Sequence, residues 1–356
     1  MLIVDSHNDI AHNAIEWNRD LLQSIPRIRE SEAGMPQKGR GLGVVNYEEL
    51  RRGEIGLLFV TMGCRVASMG KRFSGVRNQD IAYAKCRGEL AYYRLMESKG
   101  VLRQIRDRQS LDAHVKAWEM DPVSTPLGFV LTMEGADGIV SPEQVPEWWE
   151  EGLRVVSLCH YGVSSYSHGT QATGGLTPRG RPLLKAMEKA GMLLDLTHLA
   201  DQAFWEALDA FGGRVLATHN CCRAHCNHDR QFDDQQIRAI VERSGVIGVA
   251  MDDWMLSPLW DHQAIDNSGI SLNTVVDHMD HICQLAGSCN HVGIGTDLDG
   301  GYGKEQAPCD LDTIADLQKI PALLEKRGYA AMDVAKILHG NWIGFLRSSW
   351  TTQMGK

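Results

Sequence analysis

Apolar runs recur along the chain, and almost every one ends on a residue type that binds metals or moves protons. VDSHND (4–9), LTMEG (131–135), SLCHYG (157–162), LLDLTHL (193–199), VLATHN (215–220) and HVGIGTDLDG (291–300) each pass through apolar residues and finish on His, Asp or Glu. Eight segments read as buried strands, near residues 2–5, 55–62, 127–133, 153–159, 192–197, 214–218, 245–251 and 291–296. Between them, segments such as 79–98, 182–190, 200–211, 233–243 and 272–286 repeat their apolar positions with the period of an amphipathic helix. Alternation of this kind predicts a parallel sheet covered by helices. Site-type residues at the strand ends narrow the α/β class to a (β/α)8 TIM barrel, whose reactive groups sit at the C-terminal ends of its strands.

Punctuation supports these boundaries. Ser141-Pro142 precedes a helical stretch, Gly191 precedes the fifth strand, and Asp233-Asp234 cap the helix that leads to Gly245. Helical patterns over 311–327 and 331–347 follow the eighth strand, so additional C-terminal helices are expected. Residues 20–46 and 162–180 are rich in Gly, Pro, Ser and Arg and read as long loops beside the strand ends.

Length and composition bound the rest. At 356 residues and 43% hydrophobic, the chain can bury one large core, and a single domain over 1–356 is expected. No basic segment followed by an apolar stretch opens the chain, no run is long enough to span a bilayer, and RSSWTTQMGK (347–356) is not an apolar tail. A soluble, cytoplasmic protein without a membrane partner is expected. The nine cysteines contain no CxxC pair and read as reduced thiols. Cys221 and Cys222 stand beside His219, but neighbours on a strand face opposite ways and do not share one ion. A net charge of −9 provides no basic patch for nucleic acid.

The chemistry follows from position. His7 and Asp9 are two apart at a strand end, on one face, and can share a cation. Glu134 ends the third predicted strand, His198 the fifth and His219 the sixth; a carboxylate among apolar residues is costly without a cation or a partner. Five such residues exceed the three that a single catalytic zinc takes from protein. They suit two metals, with Glu134 bridging, His7 and Asp9 completing one site, His198 and His219 the other, and a shared hydroxide as nucleophile. Imidazole with carboxylate favours Zn2+, while Mn2+, Fe2+ and Co2+ fit the same ligand types.

With these residues in place the chain resembles the membrane (renal) dipeptidase family, peptidase family M19 of the amidohydrolase superfamily. GGLTPRGRPLLKAMEKAGMLLDLTH (174–198), RQFDDQQI (230–237), HVGIGTDLDG (291–300) and ILHGNW (337–342) carry the resemblance. It implies a zinc-dependent dipeptidase with two ions on His7, Asp9, Glu134, His198 and His219, Glu134 standing where other superfamily members use a carbamylated lysine. It further implies that His160 polarises the scissile carbonyl, that Asp297 carries the proton from water to the leaving amine, and that Arg230 pairs with the substrate's C-terminal carboxylate. Dipeptides ending in a D-residue and a homodimer are part of the same expectation.

Each role has a plainer alternative: Arg230 could salt-bridge Asp233 or Asp234 at the surface, and His160 could be a packed core histidine. Asp297 and Asp299, two apart, are expected on one side, with Asp299 supporting. The chain departs from the family at Tyr161-Gly162, after His160, and over VAMDDWMLSP (249–258). There Asp252 or Asp253 could receive an amine or cap a helix, and Trp254 could line a pocket. The competing activities are hydrolysis of another amide, such as an N-acyl-amino acid or a β-lactam, and a non-catalytic metal-binding homologue.

Overall fold

The computed structural model describes residues 1–67, 75–260 and 269–350, so the last six residues of the C-terminal tail lie outside it. The strands are β1 (Ile3–Asn8), β2 (Ile55–Gly63), β3 (Leu102–Gln104), β4 (Leu127–Glu134), β5 (Leu153–Ser157), β6 (Leu193–Asp195), β7 (Val215–Asn220), β8 (Ile247–Val249) and β9 (Val292–Ile294). They bond in the order β2-β1-β9-β8-β7-β6-β5-β4-β3, and β2 also pairs with β4. Eight parallel strands therefore close into a barrel, with β3 outside the ring.

All eight predicted strands are present, and β3 is the addition. It pairs with Leu127–Phe129 at the start of β4, on the edge that β5 takes over from Leu131 onward. A three-residue element has no room to show a period, so the hydrophobic pattern could not reveal it.

The strands bury nearly every side chain, as a parallel sheet covered on both faces must. The helix Gly180–Ala190 turns Leu183, Leu184 and Met187 inward, each contributing about 1.5–3 kcal/mol by burial. It stops at Gly191, whose φ of 82° suits glycine. Asp233 accepts the N–H groups of Gln235 and Gln236 and starts the helix Asp234–Glu242. No helix among the described residues is long and apolar enough to cross a membrane.

Three expected segments differ in detail. The stretch 20–46 contains a helix, Ile25–Ser31, opened by Pro26. The pattern at 311–327 resolves into a tight turn, Ile314–Lys319, and a helix, Ile320–Lys326, because Pro321 supplies no N–H to continue the first. The pattern at 331–347 is interrupted by a wide turn at Lys336–Gly340. That turn delivers Asn341 and Trp342 to the barrel, where Asn341 donates to the carbonyls of Cys289 and Val292 at 2.6 and 2.7 Å and Trp342 to that of Ile294 at 3.2 Å.

The nine cysteines are free, and Cys221 and Cys222 turn to the carbonyls of Ala250 and His278. Inside the barrel, the Ser6 hydroxyl lies between the carbonyls of Thr218 and Ile294, at 2.5 and 2.9 Å, and donates its one proton to this pair. Beside it, a Cβ on Gly248 would lie 2.2 Å from the Thr218 carbonyl oxygen, so only glycine fits. Gly248→Ala is accordingly expected to destabilise the protein by the upper part of about 1–3 kcal/mol, read as a lowered thermal midpoint.

Candidate metal centre and active site

The site residues arrive from the C-terminal mouth of the barrel. His7 lies in β1 and Asp9 just beyond it; Glu134 ends β4; His219 lies in β7. His160, His198 and Asp297 each stand three residues past β5, β6 and β9. His198 and Asp297 take left-handed backbone angles, φ 68° and 59°, which cost about 1–3 kcal/mol and turn each side chain inward over the strand end.

Glu134 is the hub. Its Oε1 lies 3.1 Å from His198 Nε2, 3.3 Å from His219 Nε2 and 3.7 Å from His160 Nε2, while Oε2 lies 3.9 Å from His7 Nε2. His7 Nε2 is also 3.9 Å from Asp9 and 3.7 Å from Asp297. These residues form three overlapping donor groups with metal-binding spacing: His7, Glu134 and His219; Glu134, His160 and His198; and His7, Asp9 and Asp297.

Burial sets the protonation of this cluster. It pushes His7 and His160 down to about 3, His219 to about 4, and His198 well below its ordinary value, so all four imidazoles are neutral at physiological pH. Asp9 and Asp297 are driven well above the usual carboxylate range by burial and by their neighbouring carboxylates. Glu134, although burial opposes its charge, is held low by the surrounding imidazoles, His160 and His7 foremost.

Hydrogen bonding at the back of the rings shows what the cluster is built to hold. His198 Nδ1 meets the Thr170 hydroxyl at 2.9 Å, and His219 Nδ1 meets the Thr218 hydroxyl at 3.0 Å. Thr170 has the His198 carbonyl, and Thr218 the Asp195 carboxylate, to take its own proton, so both Nδ1 atoms donate. The Nε2 lone pairs then face each other across 3.2 Å. His7 Nε2, fully buried, has no hydrogen-bond partner among the described residues. Lone pairs and carboxylates crowded in this way repel unless cations lie among them, and neutral His with Asp and Glu is a donor set for divalent metals.

The remaining expected residues separate into three groups. Arg230 is buried at 2% exposure and donates to Asn220 Oδ1 at 2.6 Å and to the His219 carbonyl at 2.9 Å. It forms no ion pair among the described residues; Arg223 makes the surface bridges to Asp201 and Asp233. Asp252 lines the cavity, accepts from Gln306 at 2.6 Å, caps the Trp254 N–H, and is pushed up to about 7 by burial.

Trp254 is not part of the cavity lining. The short helix Asp253–Leu256 turns its ring edge-on to His228 and presents Met255 instead. Asp297 and Asp299 do not share a side, because both lie past β9 in left-handed conformations where strand alternation no longer applies. Asp297 enters the cluster, whereas Asp299 accepts the N–H groups of Val44 and Val45 and pins the loop after β1.

The cavity above the cluster has a volume of about 650 Å³. His12, Glu16, Arg65 and Lys85, which carry no strand-end signal, also line it, as does Tyr161, where the chain departs from the family. Lys85 pairs with Glu16 at 2.8 Å, and the Arg65 guanidinium lies 5.8 Å from the Tyr161 ring centre. Adjacency to His160 and departure from the family pattern both mark Tyr161, whereas Lys85 reaches the cavity from the helix Gln79–Ser98, whose sequence shows only an amphipathic period.

Comparison with known proteins agrees with this geometry. Residues 1–353 match the sequence profile described as Membrane dipeptidase (Peptidase family M19). A Klebsiella pneumoniae protein from the pqqA 5′ region is 32% identical over 233 residues, 63% of this chain and 83% of its own length. An uncharacterized dipeptidase of Schizosaccharomyces pombe is 26% identical over 65% of this chain, and the matched part is 56% of that protein. Among solved structures, the metallopeptidase dipeptidase AC of family M19 superposes with a TM-score of 0.79 at 22% identity, covering 98% of this chain and 99% of its own. A Rhodobacter sphaeroides metallopeptidase liganded with a phosphinate mimic of the dipeptide L-Ala-D-Ala gives 0.79 at 21% identity with the same coverage. At such identities the likeness to solved structures is one of fold. The profile match over nearly the whole chain is more specific: the chain belongs to the membrane dipeptidase family, peptidase family M19.

Proposed function

We propose that the protein is a dinuclear zinc dipeptidase that hydrolyses the amide bond of free-amine dipeptides, including those with a C-terminal D-residue. The observation that carries this reading is the pair of Nε2 atoms of His198 and His219, 3.2 Å apart and converging on Glu134, which lines the cavity with His198. A cavity of about 650 Å³ accommodates a small ligand of dipeptide size. The phosphinate bound by the Rhodobacter relative supports the substrate class and its stereochemistry.

His7, Asp9 and Glu134 would hold one ion, and Glu134, His198 and His219 the other. When bound, the pair supplies Lewis acidity and lowers the pKa of water held there. The protein's own groups do the rest. Asp297, 3.7 Å from His7 and 4.0 Å from His219, would take a proton from the attacking water and return it to the leaving amine. His160, neutral and 3.7 Å from Glu134, offers a polar ring atom to the carbonyl oxygen as charge develops on it. Arg230 is held by Asn220 and His219 and makes no ion pair among the described residues, which suits capture of the C-terminal carboxylate.

A matrix of L,L- and L,D-dipeptides with N-acetylated counterparts, assayed with zinc-reconstituted protein, tests the reading. Turnover of the free-amine peptides and its loss in Glu134→Gln are expected. Turnover of the acetylated set or of a β-lactam instead would replace the dipeptide assignment, and silence throughout would favour a non-catalytic homologue.

Arg230→Met is expected to lower kcat/KM on the order of 10–100-fold, mainly through KM, with Arg230→Lys restoring little of it. An unchanged KM would remove the carboxylate role. Asp252 gains charge as pH rises through about 7. Preference for Lys- or Arg-containing dipeptides over neutral ones should therefore grow between pH 6 and 8, and Asp252→Asn should flatten that trend; a parallel rise in both proteins would contradict a recognition role for Asp252.

A further inference from the structure

Two buried carboxylates lie in the barrel wall below the cluster and have no part in the roles assigned above. Asp195, at the end of β6, accepts the N–H groups of Thr197 and Thr218 at 3.0 and 3.1 Å on Oδ1, and the Thr218 hydroxyl at 2.6 Å on Oδ2. Asp5, in β1, accepts the Thr296 N–H at 2.8 Å on Oδ1 and the Thr296 hydroxyl at 2.6 Å on Oδ2. The arrangements match. In each, an aspartate shortly before a cluster histidine grips a threonine immediately before a cluster residue: Thr218, in the neighbouring strand β7, before His219, and Thr296, two residues past the neighbouring strand β9, before Asp297.

They differ in what the threonine oxygen faces. Thr218 Oγ1 lies 3.0 Å from His219 Nδ1, whereas Thr296 Oγ1 accepts the Leu298 N–H at 3.3 Å. A hydroxyl has one proton to give, and a carboxylate has none. Because Asp195 Oδ2 takes the Thr218 proton, the oxygen is left as an acceptor and His219 must donate from Nδ1. Which ring nitrogen carries the proton is thereby decided from outside the cluster. His198 has a looser equivalent: Thr170 backs its Nδ1 at 2.9 Å, but the proton of Thr170 goes to a backbone carbonyl at 3.4 Å.

We propose that Asp195 and Thr218 are positioning residues that lock His219 in the tautomer whose Nε2 lone pair faces the cluster, forming the histidine half of the metal centre before any ion arrives. The proposal rests on the reading of His198 and His219 as metal ligands. It also ranks the supports, with the carboxylate-backed Thr218 holding its histidine more firmly than Thr170 holds His198.

Zinc affinity of the metal-free protein, measured by competition with a chromophoric chelator, gives a readout independent of turnover. Thr218→Val should weaken zinc binding at the His198/His219 pocket by about 10–100-fold, Thr218→Ser should restore it, and Thr170→Val, acting on the same pocket through His198, should cost less. Asp195→Asn is the sharper probe. Its amide oxygen must serve the two backbone N–H groups, which leaves the NH2 facing Thr218; the hydroxyl then accepts from the amide and donates to His219 Nδ1, moving the histidine proton to Nε2. Zinc binding should fall at least as far as in Thr218→Val. The double variant Asp195→Asn/Thr218→Val should bind more tightly than Asp195→Asn alone, because valine cannot impose the wrong tautomer.

Thr296→Val removes the matching grip that touches no imidazole; it should lower the thermal midpoint yet leave affinity at the histidine pocket within about twofold. Histidine 15N shifts of the metal-free protein should report Nδ1–H for His219. Wild-type zinc affinity in Thr218→Val, or additive losses in the double variant, would overturn the proposal and leave Asp195 as a strand tether. The Thr218 pair alone decides the matter if Asp195→Asn does not fold. Should His219→Ala bind zinc as the wild type does, the metal reading itself fails, an outcome distinct from failure of the tautomer lock.

Discussion

The structure depends on a repulsion. Around Glu134 the fold assembles neutral imidazoles with their lone pairs turned inward, together with the carboxyl groups of Asp9 and Asp297, all cut off from water. Such a collection is unfavourable in isolation, since buried like charges and facing lone pairs lack the solvent that would screen them. Divalent cations turn each of these costs into a favourable contact. The scaffold must hold the groups together at closest approaches of 3.1–3.3 Å against their tendency to separate.

A closed barrel is suited to that task, because each cluster residue sits in, at or just past the end of a strand bonded on both sides. The loops are tied in by the same device, a buried carboxylate accepting backbone N–H groups. Asp299 grips Val44 and Val45. Asp137 accepts from Val66 and Ser165, both at 2.8 Å, and so links the segment after β2 to the one after β5. Thr170, on that second segment, donates its backbone N–H to the His160 carbonyl while its hydroxyl backs His198. The ring that would meet substrate and a ring that would meet metal are thus fixed by one residue outside the barrel wall.

The barrel strands and the central cluster were legible in the sequence because burial and chemistry there leave local marks: apolar runs of strand length, and His or acid residues at their ends. The segments that escaped sequence reasoning lack such marks. β3 is too short for a period, and the helices after 311 are broken by Pro321 and by a wide turn made to seat Trp342. Strand alternation misplaces Asp299, because the backbone has already left the strand there. An aromatic residue type does not place Trp254 in the cavity, because it says nothing of the direction a short helix gives its side chain. Asp5 and Asp195 could not be distinguished as supports from sequence, because their function lies in contacts to threonines 291 and 23 positions away.

The central claim is that the residues around Glu134 hold two metal ions. Native mass spectrometry of the protein after zinc reconstitution and exhaustive desalting counts them directly. Two zinc ions per chain are predicted for the wild type, and at most one when Glu134, the group shared by both pockets, is replaced by Gln. A wild-type chain that retains fewer than two zinc ions, or one that keeps two ions after the loss of Glu134, would contradict the account.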